Sequence, residues 1–363
     1  VKRLGPFVFE RELVAPPGRV LAVSLAAVFL AFFSAGLVFW AYGVSPLLAY
    51  RTIFQETLLS PGGFAEAVRR AIPLLLAGVG LVLAFRSQFW NIGAEGQLLL
   101  GAVAASGVAL FVPLPAVAKL PAMFAAGFLA GGLWAALPAL LKLRLGVNDV
   151  LTTLMLNYVA VYLVGWLIHG PWRGRSAFGF AYSDRFPPEA TLPLIPGTYV
   201  HWPTLLLALA AALLAWWGLE RTVWGYRLRV VGDNPEAARY AHLPVSRVVA
   251  SAALISGGLA GLAGVGEVAG VHGRLLDAYQ ISLGYGYTAI IVAWLARGNP
   301  LGAVLTALFM GLVFASGDVM KVALQMPFRV TDVFNGLILF FLISTERLLY
   351  YRVRYAPRKK GEG

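Results

Sequence analysis

The sequence predicts an all-α protein, a polytopic bundle of transmembrane helices in which some helices are broken. Three observations predict it. Hydrophobic residues make up 59% of the 363 positions and charged residues only 13%, where soluble domains carry about 25% charged residues. The mean hydropathy is +0.76. Apolar runs near the length of a membrane span, about 20 residues with a range of 17–25, recur along the chain between short polar segments. A soluble enzyme is excluded by this composition.

Taken in order, residues 1–19 are polar and carry Lys2, Arg3, Arg11 and Arg19, which predicts a cytoplasmic N-terminal segment. A transmembrane domain is expected over 20–348. Its first span, about 20–42, is too long for a signal-peptide core and shows no small-residue cleavage site, so it reads as retained. Residues 43–70 are mixed, with Pro46, Pro61, Gly62 and Gly63. Leu47, Leu48, Ile53, Phe54, Leu58 and Leu59 suit a helix lying on the outer surface. Spans follow at about 71–86, 97–112, 117–141 and 148–168. The Pro- and Gly-rich segment 169–200 is expected outside. A span at about 202–219 leads into a basic loop, 220–246, expected inside. Spans at about 247–268, 281–297, 300–317 and 330–348 bring the count to about ten, or eight to ten if the short ones are broken. Residues 349–363 form a basic cytoplasmic tail, whose run from Arg352 to Lys360 suits anionic membrane lipid.

The charge distribution tests this order. A net charge of +12 in a soluble protein would suggest nucleic acid as a partner. Here the alternate loops that would face the cytoplasm hold Arg86, Lys142, Arg144, Arg221, Arg227, Arg229, Arg239, Arg247 and Arg297. That bias places both termini inside, and no nucleic-acid role is expected. Arg69 and Arg70 fall on the outer side and fit worst. The chain has no cysteine, and its four histidines, His169, His201, His242 and His272, lack ligand spacing, so no metal site is expected.

Three stretches carry more than hydropathy. The first, Phe85 to Gly101, reads F-R-S-Q-F-W-N-I-G-A-E-G-Q-L-L-L-G. It sets Asn91, Glu95 and Gln97 beside Gly93, Gly96 and Gly101 between two apolar segments. A charge at the centre of a span costs roughly 2.5–3.5 kcal/mol on insertion scales, and irregular backbone survives at that depth only where protein or a water-filled cavity satisfies it. The stretch is therefore either a wall of a membrane pathway, with Phe89 and Trp90 beside it, or a loop joining two spans. A similar break, Q-I-S-L-G-Y-G-Y, occurs at 280–287. The expected topology enters the two breaks from opposite sides, as an inverted repeat with broken helices meeting near the midplane requires.

In the second stretch, 146–158, Asp149, Thr153 and Asn157 stand at i, i+4 and i+8 on one helix face, with Asn148 and Thr152 on an adjacent stripe. Such a row points into the bundle, either to bond neighbouring helices or to line the pathway with the uncharged donors and acceptors that sugar hydroxyls and base edges use. In the third, 220–246, Gly232 is expected to break the preceding segment. Asn234 suits a helix cap, Pro235 the first helical position, and Glu236 the positive dipole end, while Pro244 stops the helix. A helix of about two turns is not stable alone in water. It is an ordinary capped surface helix or one that docks on a partner.

Other features have local accounts. The Gly spacings 127/131, 257/261 and 266/270 suit close helix packing. Glu267 is expected to pair with Arg274 or to act in an outer gate. Trp40, Trp166, Trp172, Trp202, Trp216 and Trp217 suit interfacial belts, and Trp90 and Trp294, near the breaks, could stack on a ring.

The combination F-W-N-I-G-A-E-G-Q-L-L-L-G at 89–101, G-V-N-D-V-L-T-T-L-M-L-N-Y at 146–158 and G-D-N-P-E-A-A-R-Y-A at 232–241 resembles the inner-membrane permease of bacterial ATP-binding-cassette importers. Within these it looks like the ribose and simple-sugar branch, closest to the nucleoside permeases, over about 70–346. The resemblance implies transport by alternating access, with Phe89, Trp90, Asn91, Glu95, Gln97, Asn148, Asp149, Thr153 and Asn157 along the substrate pathway. It implies that Gly232, Asn234, Pro235, Glu236, Ala237, Ala238 and Arg239 form the helix that couples to an ATPase, although the glycine such elements often carry downstream is absent before Pro244. It further implies a second permease subunit, most simply in a heterodimer, two ATPase subunits or one fused ATPase, and an extracytoplasmic binding protein. This chain would hold no cofactor and perform no covalent chemistry. It contains no G-x-x-x-x-G-K-[ST] phosphate loop, so ATP would bind a partner. The competing expectation is an ion-coupled secondary transporter with inverted repeats, using Glu95 or Asp149 as proton carrier.

Overall fold

The structure, a computed structural model, describes residues 2–4, 7–11, 17–175, 179–327 and 351–355, with single positions between 330 and 344. The chain divides into two compact units, 61–315 and 1–60 with 316–363.

The unit 61–315 is a helical bundle. Its helices begin with α3 (Pro61–Arg86), α4 (Ala94–Phe111), α5 (Ala116–Leu145), α6 (Asp149–His169) and α7 (Trp202–Arg221). They continue with α8 (Val223–Asp233), α9 (Pro235–Tyr240), α10 (Val245–Gly266), α11 (Ala278–Ser282), α12 (Tyr285–Leu295) and the start of α13 (Pro300–Val322). The most apolar windows of α3 and of the α10 segment are 83% and 78% buried, against 33% for α5, α6 and α7. α3 and α10 therefore form the core and the other three the shell. Glycine brings the backbones together. A Cβ at Gly101 would overlap the backbone of Gly261, one at Gly261 the carbonyl of Gly127, and one at Gly257 the carbonyl of Gly131. The small-residue spacings thus let α4 and α5 lie directly on α10.

The loops alternate between the two ends of this bundle. At one end the Lys142 Nζ donates to the Gln88 carbonyl at 2.5 Å, the Gln88 amide donates to the Gly232 carbonyl at 2.6 Å, and the Arg86 guanidinium donates to the Gly298 carbonyl at 3.1 and 3.2 Å. At the other end the 169–201 segment bonds to 269–275. Ser183 N donates to Leu275 O at 3.0 Å, Phe186 N to Gly273 O at 2.8 Å and Leu192 N to Ala269 O at 2.9 Å. This is the alternation that the sequence order of inside and outside loops requires.

One span starts earlier than expected. α3 begins at Pro61, so residues 61–70 are helical and belong to it. Arg69 and Arg70, the misplaced cations, both donate to Glu66 one turn away, which neutralises part of their charge. The expected break within 280–287 falls at Leu283 and Gly284, both left-handed with φ 45° and 76°. The eleven residues of α12 rise about 16 Å, half of a hydrocarbon core of about 30 Å. Among the described residues seven helices are long and apolar enough to cross a membrane, or eight if the bent pair Phe29–Ala41 and Pro46–Leu59 is one span. Most of the span expected at 330–348 lies outside the described residues.

The other unit contains α1 (Pro17–Ala41), α2 (Pro46–Phe54) and a π-helical turn, Gln55–Leu59. The Phe39 and Tyr50 rings meet edge-on at 5.3 Å, and the Tyr50 hydroxyl donates to the Phe32 carbonyl. The unit also holds a small antiparallel sheet of β1 (Lys2–Leu4), β2 (Phe7–Arg11) and β3 (Tyr351–Tyr355), in that order, with Phe9 opposite both Lys2 and Val353. Tyr351, Val353 and Tyr355 alternate with Arg352 and Arg354, the period of two that a strand uses. The all-α class is unaffected.

Candidate functional site: the break between α3 and α4

The chain leaves α3 at Arg86 and reaches α4 at Ala94 through an irregular loop, and α6 satisfies that loop. Trp90 N donates to Asp149 Oδ2 at 2.7 Å, Ile92 N to Thr153 Oγ1 at 3.2 Å and Gly96 N to Asn157 Oδ1 at 2.9 Å. The Asn157 amide also donates to the Ile92 carbonyl at 2.9 Å. The i, i+4, i+8 row is thus a ladder for the backbone of a broken helix. Polar atoms at this depth need partners, and the row supplies them. Asn148, exposed, caps α6 by accepting from Leu151 N at 3.2 Å. Lys142 closes the arrangement with an ion pair to Asp149 Oδ2 at 2.6 Å.

Inside the loop Asn91 is fully buried. Its amide nitrogen donates to Gln97 Oε1 at 2.9 Å and Ser256 Oγ at 3.0 Å. Its oxygen accepts from Gly93 N at 3.0 Å and Gln97 Nε2 at 2.8 Å. Every polar valence of that side chain is used within the protein. A Cβ on Gly93 would come within 2.9 Å of Gln97 Nε2 and 3.1 Å of Asn91 Oδ1, so only glycine leaves room for this amide pair.

Glu95, in the first turn of α4, joins this break to the second one. Its Oε2 accepts from Gly286 N at 2.8 Å, and the Ser282 hydroxyl and the N–H groups of Gly284 and Tyr287 also interact with the carboxylate. These N–H groups sit where α12 begins, and the free donors of a helix N-terminus attract a carboxylate. Gly286 lies so close that a Cβ there would overlap the backbone of Glu95. The two breaks read from the sequence therefore touch.

Exposure separates the pathway candidates into two groups. Phe89, Asn91, Glu95, Gln97, Asp149, Thr153 and Asn157 are buried, while Trp90 and Asn148 are exposed. The Trp90 ring lies tilted against Phe85 at 5.2 Å and Trp294 at 6.1 Å. Trp294 and Tyr287 lie seven residues apart on the open face of α12, and the Tyr287 hydroxyl accepts from Asn157 Nδ2 at 3.3 Å. Trp90, Tyr287 and Trp294, side chains without a formal charge, are thus exposed beside the break.

At the same end, α9 follows its sequence signals. Asn234 Oδ1 accepts from both Glu236 N and Ala237 N at 3.0 Å, and Pro235 occupies the first position. Ala238 is buried and anchors the turn, while Glu236, Ala237 and Arg239 face outward. One expectation is corrected. Gly232 does not break a helix; it lies in the last turn of α8, which Thr222 caps at its start. A side chain there would overlap the Arg86 carbonyl, so α8 rests on the end of α3.

A second polar cluster lies toward the other end. Glu267 opens a π-helical turn, Glu267–His272, and its two carboxylate oxygens are buried with no hydrogen-bond partner among the described residues. His272 Nε2 stands 4.0 Å from it. Arg69 and Arg70 of α3, and Tyr285, to which Arg70 donates at 3.4 Å, also face this region. The expected pairing with Arg274 is not made. Glu267 is buried at the end of α10, and Arg274, beyond the left-handed Gly273, lies over the Tyr182 ring at 4.6 Å.

Sequence reasoning missed Gln88, Lys142, Ser256 and Tyr287. Lys142 had a signal, a cation in the helix just before an acidic residue on the next. The others acquire meaning only through distant partners.

A polytopic bundle with a satisfied break, an open uncharged face and a capped helix at one end defines a membrane permease. The chain belongs to the family described as branched-chain amino acid transport system / permease component, whose profile matches residues 63–343. It is therefore a membrane-embedded transport subunit and not an enzyme. It is 38% identical over 367 residues to the glucose ABC transporter permease protein TsgB13 of Haloferax volcanii, covering 96% of each chain. It is 30% identical over 352 residues to the guanosine ABC transporter permease protein NupP of Bacillus subtilis, covering 94% of this chain and 97% of that one. Lower similarity extends to the guanosine ABC transporter permease protein NupQ of the same bacterium, 27% over 257 residues, covering 66% of this chain and 77% of that one. No solved structure matches the chain. These relatives support the ATP-driven reading and not the ion-coupled one.

Proposed function

We propose that this chain is one of two permease subunits of an importer that carries an uncharged sugar or nucleoside across the cytoplasmic membrane by alternating access. The observation that carries the substrate class is the open face of Trp90, Tyr287 and Trp294, where flat rings and a hydroxyl stand without a formal charge. Rings of this kind stack on sugar and base faces while hydroxyls bond their edges. The printed names of the relatives, glucose for one and guanosine for another, lie in the same class. Trp90 and Asn148 would meet the substrate. Phe89, Asn91, Glu95, Gln97, Asp149, Thr153 and Asn157 would hold the wall behind it in shape.

The second permease subunit would resemble this one, because NupP and NupQ, both guanosine permeases of one bacterium, are both similar to this chain. ATP would bind two ATPase subunits or one fused ATPase, against which Glu236, Ala237 and Arg239 of α9 dock, with Gly232, Asn234, Pro235 and Ala238 fixing that helix. A binding protein would deliver substrate from the opposite side. Both termini would lie in the cytoplasm, since the α9 end carries most of the loop Lys and Arg.

Substituting Glu236→Arg reverses an outward-facing charge without touching a buried group. It is expected to abolish co-purification of the cognate ATPase while leaving the permease in the membrane at wild-type level. Unchanged association would remove α9 from the docking surface.

A further inference from the structure

We propose that Gln88 is the positioning residue that transmits movement of α9 to the break, and so to the substrate-facing rings. This rests on the docking of α9 proposed above. Gln88 is an exposed non-glycine residue held at φ 57°, a left-handed conformation that a side chain disfavours. Being exposed, its polar groups could be satisfied by water. Its side-chain amide is instead spent on the Gly232 carbonyl at 2.6 Å, and its own carbonyl on Lys142 Nζ at 2.5 Å. Strained backbone that the surroundings over-determine gathers at switch points.

The bonds form a short circuit. Gly232 lies just before the Asn234 cap of α9, so displacing α9 pulls on the Gly232 carbonyl. Its close seat on the Arg86 carbonyl leaves little slack. From Gln88 the connection runs through Lys142 to Asp149, and from Asp149 to the N–H of Trp90 at 2.7 Å. Two residues earlier, Arg86 holds the Gly298 carbonyl at the loop after α12, and α12 carries Tyr287 and Trp294. One tripeptide, 86–88, therefore grips the end of α8, the α5–α6 corner and the far end of α12, which together carry both sides of the ring-lined face.

The test uses the complete transporter in proteoliposomes with its ATPase and binding protein, and radiolabelled guanosine and glucose as probes. Gln88→Gly keeps the left-handed backbone and removes the amide; Gln88→Asn keeps both a donor and tolerance of that backbone. Gln88→Gly is expected to co-purify with the ATPase and to hydrolyse ATP at the basal rate, yet to carry at least tenfold less probe per ATP. Gln88→Asn is expected to recover at least threefold of that loss. Wild-type transport per ATP in Gln88→Gly, loss of ATPase association in Gln88→Gly, or no recovery in Gln88→Asn would each overturn the proposal. If the wild-type complex carries neither probe with ATP, the substrate reading fails first, a result distinct from intact wild-type transport that Gln88→Gly leaves untouched.

Discussion

The bundle buries polar groups in two places and treats them in opposite ways. Around the break, the side-chain amides of Asn91 and Gln97 and the carboxylate of Glu95 meet donors and acceptors from α4, α10 and α12. Around Glu267, by contrast, both carboxylate oxygens and the Nε2 atoms of His201 and His272 find no hydrogen-bond partner, although Arg69, Arg70 and Glu66 are near. A fully paired network rigidifies its surroundings, while a partly paired one is costly and ready to rearrange. The difference assigns the break the work of a fixed scaffold. It leaves the π turn at Glu267, just beyond α10, with a buried side chain that hydrogen bonds do not fix, and π turns recur at functional sites.

The largest effect expected from breaking the scaffold is at Gly286. Gly286→Ala places a methyl group into the backbone of Glu95. Overpacking typically costs about 1–3 kcal/mol and more where backbone must move, as it must here. The variant should lose most properly assembled protein, read as the monodisperse fraction on size exclusion in detergent. Wild-type yield would mean that the two breaks are not in rigid contact. Next in size is Glu95→Gln. Replacing an oxygen that accepts backbone donors by an amide nitrogen, or turning the amide so that its nitrogen faces elsewhere, should cost about 2 kcal/mol, seen as a lower midpoint of thermal unfolding. Asp149→Asn should follow at about 1 kcal/mol. It retains an acceptor for Trp90 N but gives up the partly exposed Lys142 ion pair, whose worth solvent reduces. An unchanged midpoint for Asp149→Asn would mean that the corner between α5 and α6 holds without that pair.

How much of this was legible in the sequence depends on the distance over which each signal acts. The cap of α9 was legible because Asn234, Pro235 and Glu236 act within a single turn. The polar face of α6 was legible because Asp149, Thr153 and Asn157 share a helical period. What that face bonds to was not legible. Its partners are N–H groups of Trp90, Ile92 and Gly96, and main-chain groups carry no residue signature. Gly232 misled for a related reason: glycine costs a helix only about 1 kcal/mol, and here the Arg86 carbonyl excludes any side chain. One account of Glu267 paired it with Arg274, but Glu267 continues the helical register of α10, while Arg274 follows the π turn and the left-handed Gly273. The paired charges of Arg69 and Arg70 with Glu66 likewise obey helix spacing, whereas a span count that starts at residue 71 leaves all three outside the helix that pairs them.

The comparison is sharpened most by the substitution with the smallest expected effect. Glu267→Gln makes the same chemical change as Glu95→Gln, in an equally buried position. If hydrogen-bond satisfaction is what distinguishes the clusters, the two must respond differently. Glu267 has no hydrogen bond to lose, and a neutral amide is cheaper to bury than a carboxylate. Against this, Arg69 and Arg70 lose a nearby carboxyl group, although Glu66 accepts hydrogen bonds from both and remains. These terms oppose one another, and the net change should fall within about 0.5 kcal/mol, well below that of Glu95→Gln. The measurement is the pair of unfolding midpoints in the same detergent. Equal losses in both variants would show that Glu267 is held as firmly as Glu95, by charge rather than by hydrogen bonds, and the outer cluster would then be a second scaffold.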